Sequence, residues 1–426
     1  MRIIKPEGYD RLEDLIKEEQ SERERIRERV REIVERVRKE GDKALIEYTQ
    51  KFDGWEGKPI RCEPAILERA WEELSDKEKD AILTAKERIE KFHRNQIERS
   101  WFLEEEGSII GTIVNPVDIA GLYIPGGLTS LPSTVLMTAI PAICAGVKRI
   151  VVTTPTPKGY KNKYTLAALF ACGVREVFFV GGAQAIAALA YGTETIPKVD
   201  VIAGPGNVYV SEAKAVVFGD VGIDSVAGPS EIMVIADETY PPKWIAIDLL
   251  SQAEHDVMAR SILVTNSRKV MEETLVWVDR FLETLATSDI AKKSWEKRGI
   301  VIEVEDLKEA IDVANFFAPE HLELMVRDPW ELIPHIKNAG AIFMGGYSPE
   351  AMGDYIVGCN HTLPTGGRAR FSSPLGVYNF IKRSSIINLN KNLFLKLADK
   401  AITLAEIEGL IAHRDSIKIR LEGEGQ

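Results

Sequence analysis

The segment IVVTTPTPKGYKNKYTLAALFACGVREVFFVGG, residues 150–182, decides the fold. It opens on the β-branched run Ile150 to Val152, crosses a stretch of helical period, and reaches a second run, Val177 to Val180, that ends on two glycines. Strand-length β-branched runs joined by a single helix read as a βαβ unit, whose strands lie parallel. Val199 to Ala203 extends the series, Ile109 to Val114 and Ile119 to Ile124 precede it, and Ile232 to Ile235 follows. A second alternation runs from a helix at about Pro242 to Ala253 through a strand at Ile262 to Thr265. It continues through a helix around Val270 to Leu285 and strands near Ile300 to Val304 and Ala341 to Met344. Two α/β domains are expected.

The flanks are helical. From about Leu12 to Tyr48, Ile26, Val30, Ile33, Val34 and Val37 recur at three- and four-residue steps, and the repeat breaks at Gly41. That is one apolar stripe, which reads as a docked helix rather than a coiled coil. Helices are also expected over about Pro64 to Leu74 and Asp76 to Ile97. The last fifty residues return to helix, strongly apolar from Leu393 to Ile411, and suit an arm that contacts a second subunit.

At 426 residues the chain exceeds one ordinary core, and its 45% apolar and 28% charged residues are those of a soluble globular protein. A net charge of -11 leaves no broad basic field for nucleic acid or an anionic membrane. No stretch approaches the roughly 20 apolar residues of a membrane span, and the Met1 to Pro6 segment lacks a signal-peptide core, so the cytoplasm is the expected location. The four cysteines, Cys62, Cys144, Cys172 and Cys359, are too scattered for a thiolate metal site. Cys144 and Cys172 sit in apolar helical settings typical of inert core thiols. A metal would therefore take nitrogen and oxygen ligands, and only six histidines are available.

Three glycine-rich turns follow strands: Pro125-Gly126-Gly127, Gly181-Gly182-Ala183-Gln184 and Gly204-Pro205-Gly206-Asn207. Such turns at the carboxyl ends of parallel strands let main-chain N–H groups approach a pyrophosphate. None matches Gly-x-Gly-x-x-Gly, so each reads equally as a tight turn without a ligand.

Four constellations carry candidate chemistry. In Ala318-Pro319-Glu320-His321-Leu322 a carboxylate adjoins an imidazole, two groups suited to different proton transfers, and Pro319 is expected to hold Ala318 extended. Taken alone, the pair reads as an exposed strand start. Gln252 and His255, three apart at a helix end, share a face. Asp354 and His361 lie seven apart on a polar, glycine-bearing loop and can converge on a metal or substrate. Glu408 and His413 stand about 140° apart on a helix, so any joint role requires a helix end. His93 and His335 read as structural.

These signals occur in one order along nearly the whole chain, and in that order the chain resembles the histidinol dehydrogenases. The motifs that carry the resemblance are Gly121-Leu-Tyr-Ile-Pro-Gly-Gly127, Gly181-Gly-Ala-Gln-Ala-Ile-Ala-Ala-Leu189, Gly204-Pro-Gly-Asn207 and Gly228-Pro-Ser-Glu231. They continue with Gln252-Ala-Glu-His255, Ala318-Pro-Glu-His-Leu322, Gly353-Asp354, Asn360-His-Thr-Leu-Pro364 and Glu408-Gly-Leu-Ile-Ala-His413.

The resemblance implies oxidation of L-histidinol to L-histidine through bound L-histidinaldehyde, with two NAD+ as co-substrate and one Zn2+ per subunit. It implies Gln252, His255, Asp354 and a partner subunit's His413 as metal ligands, His321 as base, and Glu320 as the group that activates water. Tyr123, Gln184 and Asn207 match the family's NAD contacts, and Ser230, His361 and Glu408 match residues around the substrate, beside the metal ligands and His321.

The implied fold is α/β, with two incomplete Rossmann-like domains similar to aldehyde dehydrogenases, helical terminal extensions and an intertwined homodimer with shared sites. The expected parts are a helical extension at 1–23 and an α/β domain of 24–122 plus 232–374 carrying the metal and catalytic groups. An NAD-binding domain is inserted at 123–231, and 375–426 form a helical dimerisation arm. Two other readings stand beside this one. A related zinc and NAD enzyme would oxidise another primary alcohol, such as a sulfonated propanediol, using Arg368 and Arg370; a dimer that only binds metal or nucleotide would turn over no alcohol.

Overall fold

The computed structural model describes residues 2–4, 10–56, 58–126 and 131–422. Gly127, the last residue of the first glycine-rich turn, lies outside the described residues. The chain forms two compact units, one of Met1–Ile97 with Val117–Phe380 and one of Glu98–Pro116 with Ile381–Gln426.

The segment that decided the fold lies in a five-stranded parallel sheet of the first unit. Its spatial order is β6 (Glu176–Phe178), β5 (Arg149–Thr153), β4 (Ile119–Tyr123), β7 (Val201–Ala203) and β8 (Gly222–Ile223). Alternate residues enter two separate cores: Ala120, Leu122 and Val152 pack with the helices Pro64–Glu72, Asp76–Arg94, Pro132–Ala145 and Lys163–Ala171. Tyr123, Val151 and Ile202 face the other side, against Gly182–Tyr191 and Val208–Val217. Burial on both faces is why these strands read as unbroken apolar runs. The stripe Val30, Ile33, Val34 and Val37 docks the helix Asp10–Glu40 into this second core, and the helix stops where Gly41 adopts φ +55°.

The second alternating series forms a six-stranded parallel sheet in the same unit. Its order is β1 (Arg2–Ile4), β11 (Ile300–Glu303), β10 (Arg260–Thr265), β9 (Glu231–Ala236), β12 (His321–Met325) and β13 (Ala341–Met344). The helix Leu307–Phe317 covers one face, and Pro242–Ala253, Arg268–Thr284 and Ser288–Arg298 cover the other. Both sheets reverse strand order at one point, between β4 and β7 in the first and between β9 and β12 in the second.

The second unit holds an antiparallel sheet, β14 (Ile381–Asn388) to β3 (Ser108–Pro116) to β2 (Trp101–Glu105), and the helices Lys391–Ile407 and Ile411–Glu422. Strand β14 corrects the expectation of helix throughout the last fifty residues. It has no fully buried residue, so it lacks the alternation that marks a half-buried strand. Among the described residues, no helix is long and apolar enough to cross a membrane.

Candidate active site

The candidate site is built where β9, β10 and β12 begin. Glu231, Arg260 and His321 are the first residues of these adjacent strands, and the register sets Arg260 opposite Glu231 and His321 opposite Ile232. The buried Glu231 side chain pairs with Arg260 at 3.1 Å and accepts the Gly366 N–H at 3.1 Å. Its main chain then holds the acid–base pair. The Glu231 N–H donates to Glu320 Oε2 at 2.8 Å, and the Glu231 carbonyl accepts from His321 Nδ1 at 2.9 Å. A carbonyl only accepts, so Nδ1 carries a proton and Nε2 is the nitrogen left to take up or release one.

That Nε2 has no hydrogen-bond partner among the described residues, although the ring is 3% exposed. Glu350 Oε1 stands 3.8 Å from it and Asp354 Oδ1 3.7 Å, both beyond direct hydrogen-bond reach. Burial works against a charge on His321, but the carboxylates of Glu350, Glu320 and Asp354 outweigh it and hold its proton affinity well above the ordinary imidazole range. Burial pushes Glu320 up to about 8 and Glu350 up to about 7, with His321 opposing both shifts. Behind them, Glu323 Oε1 accepts the Glu350 N–H at 2.7 Å. Burial raises both Glu323 and Asp248, the latter to about 7, and the two interact directly.

Two expectations about this segment change. The Glu320–His321 pair is buried, because β12 lies inside a sheet covered on both faces. Ala318 is not extended before Pro319. It caps the helix Leu307–Phe317 in the left-handed region, at φ +49° and ψ +60°, with its N–H on the Ala314 carbonyl. An alanine there costs about 1–2 kcal/mol, and the sharp turn delivers the chain directly into β12.

Asp354 sits on a π-helical turn, Gly353–Val357. A Cβ on Gly353 would lie 2.5 Å from the Phe343 ring, so only glycine lets this turn settle against β13. The Asp354 carbonyl accepts from His361 Nδ1 at 3.0 Å, and Thr134 Oγ1 lies 3.3 Å from His361 Nε2, so the two loop residues meet through the Asp354 main chain. The loop is anchored one residue earlier. Asn360 Nδ2 donates to the Met137 carbonyl at 2.6 Å and to His93 Nε2 at 3.2 Å, while its Oδ1 accepts the Thr362 N–H. His93 donates from Nδ1 to the Ile89 carbonyl at 2.8 Å, the structural role expected of it.

Gln252 is fully buried on the helix Pro242–Ala253, with its NH2 group donating to Glu350 Oε1 at 2.5 Å and Oε2 at 3.0 Å, an orientation set by the surrounding acceptors. Its carbonyl is thereby turned away from Glu350. His255 follows the helix end, with its N–H on the Gln252 carbonyl; burial of the ring lowers its proton affinity, and the Asp354 carboxylate opposes that shift. Ligand atoms of His321, Glu350 and Asp354 all lie within 4.8 Å of one another. Buried acids gathered around one imidazole fit a divalent cation. Glu408 and His413 belong to the second unit. Glu408 caps the helix Lys391–Ile407 and exposed His413 lies in Ile411–Glu422, so the required helix end falls between them at Gly409.

The candidate cofactor residues stand at the carboxyl ends of the five-stranded sheet. Tyr123 ends β4 and accepts the Gly182 N–H on its hydroxyl at 3.1 Å; burial pushes it up to about 12. Gln184, 1% exposed, leaves Oε1 without a partner among the described residues. Exposed Asn207 caps the helix Val208–Val217 by accepting from the Tyr209 and Val210 N–H groups. Tyr123 and the Gly204 turn flank the point where strand order reverses, the usual ligand crevice of an open α/β sheet. Ser230 is half-buried, and its carbonyl accepts the Arg260 N–H at 2.9 Å.

Sequence reasoning missed Glu350, Glu323, Asp248, and the pair Glu231 and Arg260. An acid four residues before Asp354 was the one available signal for Glu350, since both then fall on one helical face. The others look like solvated charges until the fold buries them.

The sequence model of the histidinol dehydrogenase family matches residues 16–421. The histidinol dehydrogenase of Aquifex aeolicus is 52% identical over 418 residues, covering 96% of this chain and 96% of that protein. That of Pseudomonas putida is 48% identical over 420 residues, covering 98% and 95%. The crystal structure of histidinol dehydrogenase from Elizabethkingia anophelis superposes with a TM-score of 0.93 at 37% identity, covering 100% of this chain and 99% of that one.

Proposed function

The chain belongs to the histidinol dehydrogenase family, and from that premise we propose that it oxidises L-histidinol to L-histidine through bound L-histidinaldehyde, consuming two NAD+ in turn. The observation that carries this reading is the buried His321 imidazole, protonated at Nδ1 by its bond to Glu231 and presenting Nε2 beside a carboxyl group, Glu320, held to the same residue. Arg368 and Arg370 donate to the Thr365 and Phe316 carbonyls.

Gln252, His255 and Asp354, with the partner subunit's His413, would hold a zinc ion, which supplies a template for the amino and imidazole nitrogens of histidinol and positive charge against the acids around His321. His321 Nε2 accepts the hydroxyl proton as hydride leaves the carbinol carbon for the first NAD+, giving aldehyde and NADH. Glu320, once ionised, takes a proton from water as that water adds to the aldehyde carbon. The aldehyde oxygen takes up the proton that His321 holds, and the resulting diol loses hydride to a second NAD+, one hydroxyl proton to the freed His321 and the other to solvent, giving the carboxylate. Ser230, His361 and Glu408 would line the substrate, and Tyr123, Gln184 and Asn207 the dinucleotide. Loops without a tight fingerprint suit a cofactor that must exchange between the two oxidations.

In this reading the five-stranded sheet, whose strand β4 already starts at Ile119, carries an incomplete Rossmann-like NAD domain placed at residues 123–231, inserted in the domain of 24–122 and 232–374. The extensions 1–23 and 375–426 complete a cytoplasmic, aldehyde-dehydrogenase-like homodimer. The exposed Leu404 and Ile407 of the second unit support a subunit contact there. The stoichiometry of NADH formed per L-histidinol consumed tests the reaction. A ratio near two supports it, a ratio near one means the aldehyde escapes, and no NADH sinks the assignment.

A further inference from the structure

One buried ion pair stands outside the chemistry described above. Lys214 and Asp224 have side chains only 2% exposed, and Lys214 Nζ contacts Asp224 Oδ1. Both then grip the same residue. Lys214 Nζ donates to the Gly204 carbonyl at 3.0 Å, and Asp224 Oδ2 accepts the Gly204 N–H at 2.8 Å. The spare capacity of Asp224 Oδ1 takes the Ser225 N–H at 2.6 Å.

Removing two charges from water is costly, and well-packed apolar residues of similar volume usually hold secondary structure at least as firmly. Packing alone therefore does not account for the pair. Its geometry does: Gly204 is the first residue of the Gly204-Pro205-Gly206-Asn207 turn, at the carboxyl end of β7. It adopts φ +119°, and a Cβ there would lie 2.1 Å from the Tyr123 carbonyl oxygen. The turn thus lies directly on the β4 strand end, and the Tyr123 hydroxyl in turn holds the Gly182 N–H. The helix that begins after Asn207 carries Lys214 on its far turn, so the element following the loop reaches back to fix the loop's first peptide groups.

We propose that the Lys214–Asp224 pair is a positioning device that locks the Gly204–Asn207 turn in the conformation that receives NAD+, a role resting on the reading of that turn as part of the cofactor site. Lys214 is too deeply covered to touch a ligand, so it acts only through Gly204. A turn set in advance spares the dinucleotide the cost of ordering it.

The test is the double variant Lys214→Met with Asp224→Leu, which removes both charges together and leaves neither one stranded. The expected result is a rise of about tenfold in KM for NAD+, matched by weaker NADH binding in a fluorescence titration, with KM for L-histidinol within about twofold of wild type. Asn207→Ala is the companion. If Asn207→Ala raises KM for NAD+ and the folded double variant does not, the positioning role is overturned while the cofactor turn stands. If neither moves it, both readings fall. Should the double variant not fold, Asp224→Asn keeps an oxygen for the Gly204 N–H but loses the ion pair. A rise of about threefold in KM for NAD+ alone then supports the proposal, and an unchanged value overturns it.

Discussion

The His321 imidazole is tied through Nδ1 to the main-chain carbonyl of Glu231 at 2.9 Å, one strand away in the sheet. This bond fixes the tautomer and aims Nε2 at the acids of the site with no protein partner of its own among the described residues. In the proposed reaction a base held so rigidly would serve both oxidations. His321→Asn is expected to lower kcat by about 10²–10⁴-fold with histidinol and with histidinaldehyde alike, with zinc content near wild type. Loss confined to one of the two substrates would contradict a shared base.

In the proposed reaction Glu320 would act between the two oxidations, at the hydration of the aldehyde. Burial pushes its carboxyl up to about 8, so near neutrality it is mostly protonated and unable to activate water. The rate of histidinaldehyde oxidation should climb with pH and level off above about 8. Glu320→Gln should cut that rate by about 10²-fold or more and remove the rise, while hydride transfer from histidinol is affected far less. Equal loss in both single-turnover rates would remove Glu320 from the hydration step.

The same shift carries a stability signature. An unfolded Glu320 titrates near 4.5 and the folded one near 8, so between those values the folded chain binds the extra proton. Stability from this group is complete below the lower value and is lost as pH rises through the higher, by about 1.4 kcal/mol per unit between them. Glu320→Gln keeps an oxygen for the Glu231 N–H and has nothing to ionise. Its melting temperature relative to wild type should therefore increase from pH 5 to pH 8. A constant difference would mean that Glu320 is not held neutral.

Much of this architecture is legible from residues alone, and the failures have physical causes. Strands buried on both faces, such as Ile262–Thr265, appear as apolar runs, and a docked helix shows its stripe at Val30, Ile33, Val34 and Val37. Strand β14 shows nothing, since its order comes from pairing with β3 rather than from burial. Glu320–His321 looks like a surface pair because sequence carries no record of depth, and Glu350 looks like any helical acid. The site also lies at the amino ends of β9 and β12, whereas the cofactor turns follow the carboxyl ends of β4 and β7, a contrast that only the sheet topology reveals.

Aldehyde oxidation elsewhere in chemistry often proceeds through a thiol, and here the thiols are set against it. Burial pushes Cys62 up to about 11 and Cys172 up to about 12, and it raises Cys144 as well. The nucleophilic thiolate is therefore scarce at neutral pH. Cys144→Ala and Cys172→Ala should keep kcat within about twofold, and iodoacetamide should leave activity intact. Stoichiometric inactivation by the alkylating agent, blocked by substrate, would reinstate covalent catalysis.

Sharing of the site between subunits has its own test, because Glu408 and His413 lie in one compact unit and Gln252, His255 and Asp354 in the other. If the partner subunit's His413 completes each metal site, His413→Asn and His255→Asn are each inert as homodimers. A heterodimer of the two variants, however, places both lesions in one site and leaves the other intact. Mixing the two under exchange conditions should restore activity towards one quarter of wild type, the product of one half heterodimers and one intact site in each. Zinc content should recover in step, giving a readout independent of turnover. No recovery in verified heterodimers would place all the ligands of a site on a single chain, since each site would then keep its own lesion however the subunits pair.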